Sequence, residues 1–179
     1  ANISGGKAKV KFLAEGRPLA QCLIDDISLC QSTVSDTNSG IDFVKGADIS
    51  WLTGQEARGE KFYDITGKER ECMDLLKDYQ LNAVRLRVWV NPKDGWCGKE
   101  DVLKKALRAH NLGMDIMLCF HYGDWWADPA KQPIPKAWMG MNFKEMKKAL
   151  ANHTMEVISL LKANGITPRW VQVGNETSN

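Results

Sequence analysis

From residue 42 onward, strand-like and helix-like segments alternate, and this alternation constrains the fold more than any other feature of the chain. Phe43-Val44-Lys45-Gly46-Ala47-Asp48-Ile49 reads as a short strand. Residues 66–80 fit a helix, with Cys72, Leu75, Leu76 and Tyr79 on one face and Thr66 with Glu69 as a capping box. Ala83 to Val90 is a second strand, closed by Asn91-Pro92. Residues 99–111 repeat the helical period through Val102, Leu103, Ala106 and Leu107, and Gly113 is the stop signal. Asp115 to Phe120 is a third strand. A helix over 143–163 carries Phe143, Met146, Leu150, Val157, Ile158 and Leu161, and Gly165 closes it. Trp170 to Val173 is the fourth strand. The order βαβαβαβ implies a parallel sheet with helices outside it. An open doubly wound sheet and the first four strands of a (β/α)8 barrel both satisfy that order. No Gly-rich phosphate loop follows the first strand, which argues against nucleotide binding. Asp, Arg, Trp, His and Glu crowd the strand ends instead, as on the active-site rim of a barrel.

The region before residue 42 has a different texture. Lys7 to Ala14 alternates polar and apolar residues, Glu15-Gly16-Arg17-Pro18 is a turn signal, and Cys22 to Leu29 is a second strand-like run. Residues 1–30 are therefore expected to be a β segment. Residues 31–41, rich in Ser, Thr, Asn and Asp, read as a linker, which leaves 42–179 as the α/β unit.

The net charge of +2 is spread along the 179 residues, with no basic stripe for nucleic acid. No apolar run approaches a membrane span, and the polar opening Ala1 to Gly6 is not a signal peptide. Cys22, Cys30, Cys72, Cys97 and Cys119 lack metal-ligand spacing, so no metal site is expected. Cys22 and Cys30 can bridge locally or simply pack, and spacing does not choose between them.

Chemistry concentrates at the strand ends. Asn175-Glu176 follows the fourth strand, where a carboxylic acid is suited to protonate a glycosidic oxygen and the neighbouring amide to bind a sugar hydroxyl. Arg85 and Arg87 are two apart on the second strand and share a face, which demands a counter-charge if that face is buried. His121, after the third strand, can orient a carboxylate or bind a hydroxyl. Asp124 and Asp128 offer acceptors for sugar hydroxyls, and Trp125 and Trp126 offer flat faces for a pyranose. Trp51, Trp89 and Trp138 are placed to extend that surface.

Four motifs together resemble glycoside hydrolase family 53, the endo-β-1,4-galactanases. They are Lys45 to Ser50, Asn82 to Pro92, Phe120 to Pro129 and Val173 to Glu176. The resemblance implies a (β/α)8 barrel that hydrolyses β-1,4-galactan or its oligosaccharides with retention and without a cofactor. It implies that Glu176 is the acid/base, that Asn175 and Arg85 support the reaction, and that Asp48, His121, Asp124 and Trp126 line the subsites beside Trp89, Trp125 and Asp128. It also implies a secreted, periplasmic or cell-surface setting.

Two positions depart from the family pattern. Gly123 stands for a serine, and Trp125 for a small residue, which bears on subsite shape. The family nucleophile is a second Glu near the end of the seventh strand, expected beyond Asn179. Four strands of a barrel leave two open edges, so this stretch is expected to self-associate or to need the rest of the barrel. Residues 1–30 more weakly resemble the closing strands of a β-sandwich carbohydrate-binding module. Two rival readings are a carbohydrate-binding protein without catalysis and a related barrel hydrolase acting on mannan or cellulose.

Overall fold

The computed structural model describes residues 43–177. The β segment 1–30, the linker 31–41 and the Cys22–Cys30 question lie outside the described residues. The elements run in order β1 (Gly46–Asp48), α1 (Leu52–Ala57), β2 (Phe62–Tyr63), β3 (Glu69–Arg70), α2 (Cys72–Asp78), β4 (Ala83–Val88), α3 (Lys99–Asn111), β5 (Asp115–Phe120), α4 (Phe143–Ala163) and β6 (Trp170–Val173). A short 3-10 turn, Lys136–Trp138, interrupts the loop before α4.

The main sheet is parallel throughout, in the order β1-β4-β5-β6. Consecutive large helices return the chain to the same edge each time, so the sheet grows by one strand per βα unit. Val84, Leu86 and Val88 of β4 and Ile116, Leu118 and Phe120 of β5 point to one side, where Val102, Ala106, Ala109, Val157 and Leu161 of α3 and α4 bury them. The alternate residues face the other way, among them Arg85 and Arg87 of β4, Met117 and Cys119 of β5 and Gln172 of β6. One face of the sheet is thus an ordinary apolar core, and the other carries the two arginines with their polar neighbours. The outer edges of β1 and β6 have no partner strand among the described residues.

Local signals explain the helix ends. Asn142 and Glu145 form a reciprocal capping box at the start of α4. Acidic Glu100 and Asp101 occupy the first turn of α3, and Arg108 and His110 the last, matching the helix dipole. Gly113 and Gly165 adopt positive φ beyond α3 and α4, a conformation glycine reaches without strain.

The expected helix over 66–80 is corrected to 72–78. Thr66 is not a cap: it sits in the turn between β2 and β3, where Asp64 Oδ1 accepts the backbone N–H of both Thr66 and Lys68. Glu69 pairs with Lys61 across the ribbon instead of closing a box. Glu71 is the cap, its carboxylate accepting from the Asp74 N–H at 2.8 Å. The competing asparagine-like turn at Asp64, completed by Gly67 at φ +82°, outweighs the helical pattern there. The first strand shortens to Gly46–Asp48, and the second ends at Val88 because the next two N–H groups leave the sheet. Trp89 donates to Cys97 O and Val90 to Gly123 O. Helix α1 was not expected from the sequence. Among the described residues, no helix is long and apolar enough to cross a membrane.

Candidate active site

Arg85 is the hub of the polar face. Its Nη1 donates to Asp48 Oδ2 at 2.5 Å. Its Nη2 faces Cys119 Sγ at 2.8 Å, Asn175 Oδ1 at 2.9 Å and Gln172 Oε1 at 3.3 Å. The guanidinium thereby ties β1, β4, β5 and the segment after β6. Parallel register makes this possible, because Asp48 pairs with Arg85 and Cys119 with Gln172 across adjacent strands. Asp48 is held in turn by the Ser50 N–H, which donates to its Oδ1 at 2.9 Å.

Asn175 is buried and fully engaged. Its Nδ2 donates to Ala127 O at 2.9 Å, and its own carbonyl accepts from Gln132 Nε2 at 3.0 Å. Glu176, one residue on, is exposed and adopts φ +48°, a left-handed conformation uncommon for a residue with a side chain. Gly174 precedes this turn at φ +99°, where a Cβ would lie 2.8 Å from Thr177 Cγ2. The backbone thus reverses abruptly at the carboxyl end of β6, burying the amide and presenting the carboxylate.

Arg87 departs from the expected carboxylate pairing. It is buried, and among the described residues no carboxylate pairs with it. Its guanidinium carbon lies 3.9 Å from the Trp126 ring centroid, 4.5 Å from that of Trp51 and 4.7 Å from that of Trp89. Aromatic faces replace the counter-ion, each contributing about 0.5–2 kcal/mol. Ser50 Oγ accepts the Arg87 N–H at 2.8 Å and fixes its strand against β1.

His121 is buried below the aromatic loop, and its Nδ1 accepts the Ala127 N–H at 3.2 Å. The ring proton therefore resides on Nε2, making that edge a donor. Burial, then the charges of Arg87 and Arg85, bring its pKa down to about 3, so the ring is neutral at neutral pH.

The aromatic residues divide into a floor and a face. Trp89, expected on the sugar-facing surface, has no exposed surface among the described residues and lies under Trp125, with ring centroids 4.7 Å apart. Trp125 is 52% exposed and carries the open ring face. Trp138 is buried beside Tyr122 and His153, away from this group. Asp124 spends one carboxylate oxygen on the Asn91 N–H and the other on the Lys136 N–H, so it braces two loops. Asp128 accepts from the Ala130 N–H within a tight turn. Gln172 and Cys119 are the partners of Arg85 that residue typing alone missed. Strand parity was the available signal, since both alternate with apolar neighbours. Among the described residues, no three His, Cys, Asp or Glu side chains gather as a metal site.

A parallel α/β barrel segment whose charged residues converge at the carboxyl ends of its strands is the class that fold and site define. The chain matches the model of Glycosyl hydrolase family 53 over residues 44–179, and it belongs to that family. It is 39% identical over 145 residues to the endo-beta-1,4-galactanase of Bacillus subtilis (strain 168), covering 76% of this chain and 34% of the relative. It is 40% identical over 138 residues to the arabinogalactan endo-beta-1,4-galactanase of Cellvibrio japonicus (strain Ueda107), covering 76% and 36%. The structure superimposes on the Ignisphaera aggregans GH53 catalytic domain with a TM-score of 0.72 at 36% identity, covering 77% of this chain and 41% of that one. The chain thus spans little more than a third of the length of these curated relatives, and its βα units are part of a (β/α)8 barrel.

Proposed function

We propose that this chain carries the acid/base half of a retaining endo-β-1,4-galactanase. The observation supporting it most directly is the Arg85–Asn175 hydrogen bond, which ties β4 to the turn where Glu176 is exposed. In this reading Glu176 protonates the leaving glycosidic oxygen and later takes a proton from water. Arg85, with one ion-pair partner and three neutral acceptors, orients Asn175 and supports the nucleophile. That nucleophile is a second carboxylate about 5–5.5 Å from Glu176, supplied by a later strand of the full barrel. Trp125 offers the stacking face for a galactosyl ring, with Trp126 and His121 beside it. Asp48, Asp124 and Asp128 reach the substrate only with the oxygen lone pairs their present partners leave free. In this reading the α/β unit is the first half of the barrel of a secreted protein.

In the full-length protein, Glu176→Gln is expected to remove nearly all galactan cleavage while galactan still binds. Reducing-end release is compared on galactan, mannan and cellulose, with binding followed by calorimetry. Undiminished turnover by Glu176→Gln removes the acid/base assignment, and faster wild-type cleavage of mannan or cellulose removes the substrate assignment.

A further inference from the structure

We propose that Cys119 is a positioning residue that sets the pH range of the catalytic pair, by holding Arg85 and Asn175 with an uncharged thiol. The inference rests on the glycosidase reading above and extends it to a residue that reading does not use. Cys119 is fully buried on the interior side of β5, in register with Arg87 on β4 and Gln172 on β6. Arg85 Nη2 donates to its Sγ at 2.8 Å, and the thiol in turn faces Asn175 Oδ1 at 3.5 Å. Arg85 Nη2 also reaches Asn175 Oδ1 directly, at 2.9 Å. One small group therefore serves as acceptor for the arginine and donor to the amide, closing a circuit of three side chains.

Charge gives this circuit its consequence. Arg85 meets a carboxylate, Asp48, through Nη1 alone; its Nη2 sees the neutral groups of Cys119, Gln172 and Asn175. Its Nη2 edge, on the side leading to Glu176, thus meets no carboxylate among the described residues. The charged groups acting on Cys119 are Arg85 and Arg87 from β4, Asp48 from β1 and Glu176 from beyond β6. Burial pushes the thiol up to about 11, with Asp48 and Glu176 acting the same way against the two arginines. Cys119 therefore stays a thiol through the neutral range and leaves the arginine charge intact. A carboxylate at this position would set a second negative charge against the guanidinium, beside that of Asp48.

The test is the pH–rate profile of galactan hydrolysis by the full-length protein and by Cys119→Asp, Cys119→Ser and Cys119→Ala. A negative charge beside Arg85 favours the protonated form of both catalytic carboxyls. Both limbs for Cys119→Asp should therefore move to higher pH, by about 0.5–1 unit. Cys119→Ser keeps an uncharged donor and acceptor, so its profile should stay in place with kcat within roughly threefold of wild type. Cys119→Ala should lower kcat roughly tenfold with KM nearly unchanged, because it loosens a group that acts on the transition state. An Asp profile that superimposes on wild type, or an Ala variant with full kcat, overturns the proposal. Should Cys119→Asp fail to fold by its thermal melt, the contrast of Ser with Ala decides. A wild type that does not cleave galactan sinks the glycosidase reading itself, whereas an active wild type with unmoved variants sinks only the role of Cys119.

Discussion

Removing one member of the buried Asp101–Lys105 pair should destabilise the protein far more than removing both charges. The pair is an i,i+4 contact on α3, with side-chain exposures of 6% and 0%. Asp101 Oδ2 also accepts the Cys97 N–H at 2.7 Å, and Lys105 Nζ donates to Thr53 Oγ1 at 3.1 Å. Asp101 Oδ1 has no hydrogen-bond partner among the described residues, so the lysine on Oδ2 is the main compensation for a charge out of water. In Lys105→Met the carboxylate is left with one N–H donor, a loss of about 3–5 kcal/mol. In Asp101→Asn with Lys105→Met, the amide oxygen still accepts from Cys97 and no charge remains, so the net loss should be about 1–2 kcal/mol. The assay is urea unfolding of the full-length protein and both variants. With a slope of about 2.5 kcal/mol per molar, a loss of about 4 kcal/mol lowers the midpoint by about 1.6 M. A double variant as unstable as Lys105→Met, or a Lys105→Met midpoint within about 0.3 M of wild type, would refute the reasoning. The consequence reaches the site, because Cys97 sits at φ +63° and its carbonyl accepts the Trp89 N–H under the aromatic floor.

Two further outcomes follow from the same packing. His121 is held neutral by burial and by Arg87 and Arg85, with its pKa down to about 3, whereas an unfolded histidine titrates near 6.5. The unfolded chain binds the extra proton between those values, so stability is lost as pH falls from about 6.5 toward 3, at no more than about 1.4 kcal/mol per pH unit. Urea midpoints at pH 7 and pH 5 should differ less for His121→Asn than for wild type; an equal or larger difference contradicts the account. Trp125→Ala should raise KM for galactan by about 3–10-fold, since its ring is half exposed and presents an open face above Trp89. An unchanged KM would show that no sugar rests there.

The long elements were legible because several signals coincide in them. Helices α3 and α4 and strands β5 and β6 match their expected spans, each with a continuous period and a glycine or turn at its boundary. The ribbon β2–β3 was not legible, because two-residue strands carry no period and Thr66 with Glu69 mimics a cap. Glu71 is a weak capping residue by type; Arg108, which donates to Glu56 and Glu71 together, holds it in place, and that contact is invisible locally. Arg85 and Arg87 illustrate the limit at the site. Sequence placed both on one face, yet one found a carboxylate and the other three indole rings, a choice made by loops that converge only in the folded chain.

Register explains why those loops meet a ready-made site. On β4 and β5, Val84, Leu86, Val88, Ile116, Leu118 and Phe120 must face α3 and α4, because together they form the apolar core. Strand period two then forces Arg85, Arg87 and Cys119 to the opposite side. Slipping β4 by one residue would put both arginines against the helices and three apolar side chains against Asp48 and Asn175. The burial that stabilises the helix-facing side therefore also selects the register that aligns Asp48 with Arg85 and Cys119 with Gln172. Packing on one face and polar geometry on the other are one constraint, so a core substitution that shifts β4 should disturb the position of Arg85 before it unfolds the sheet.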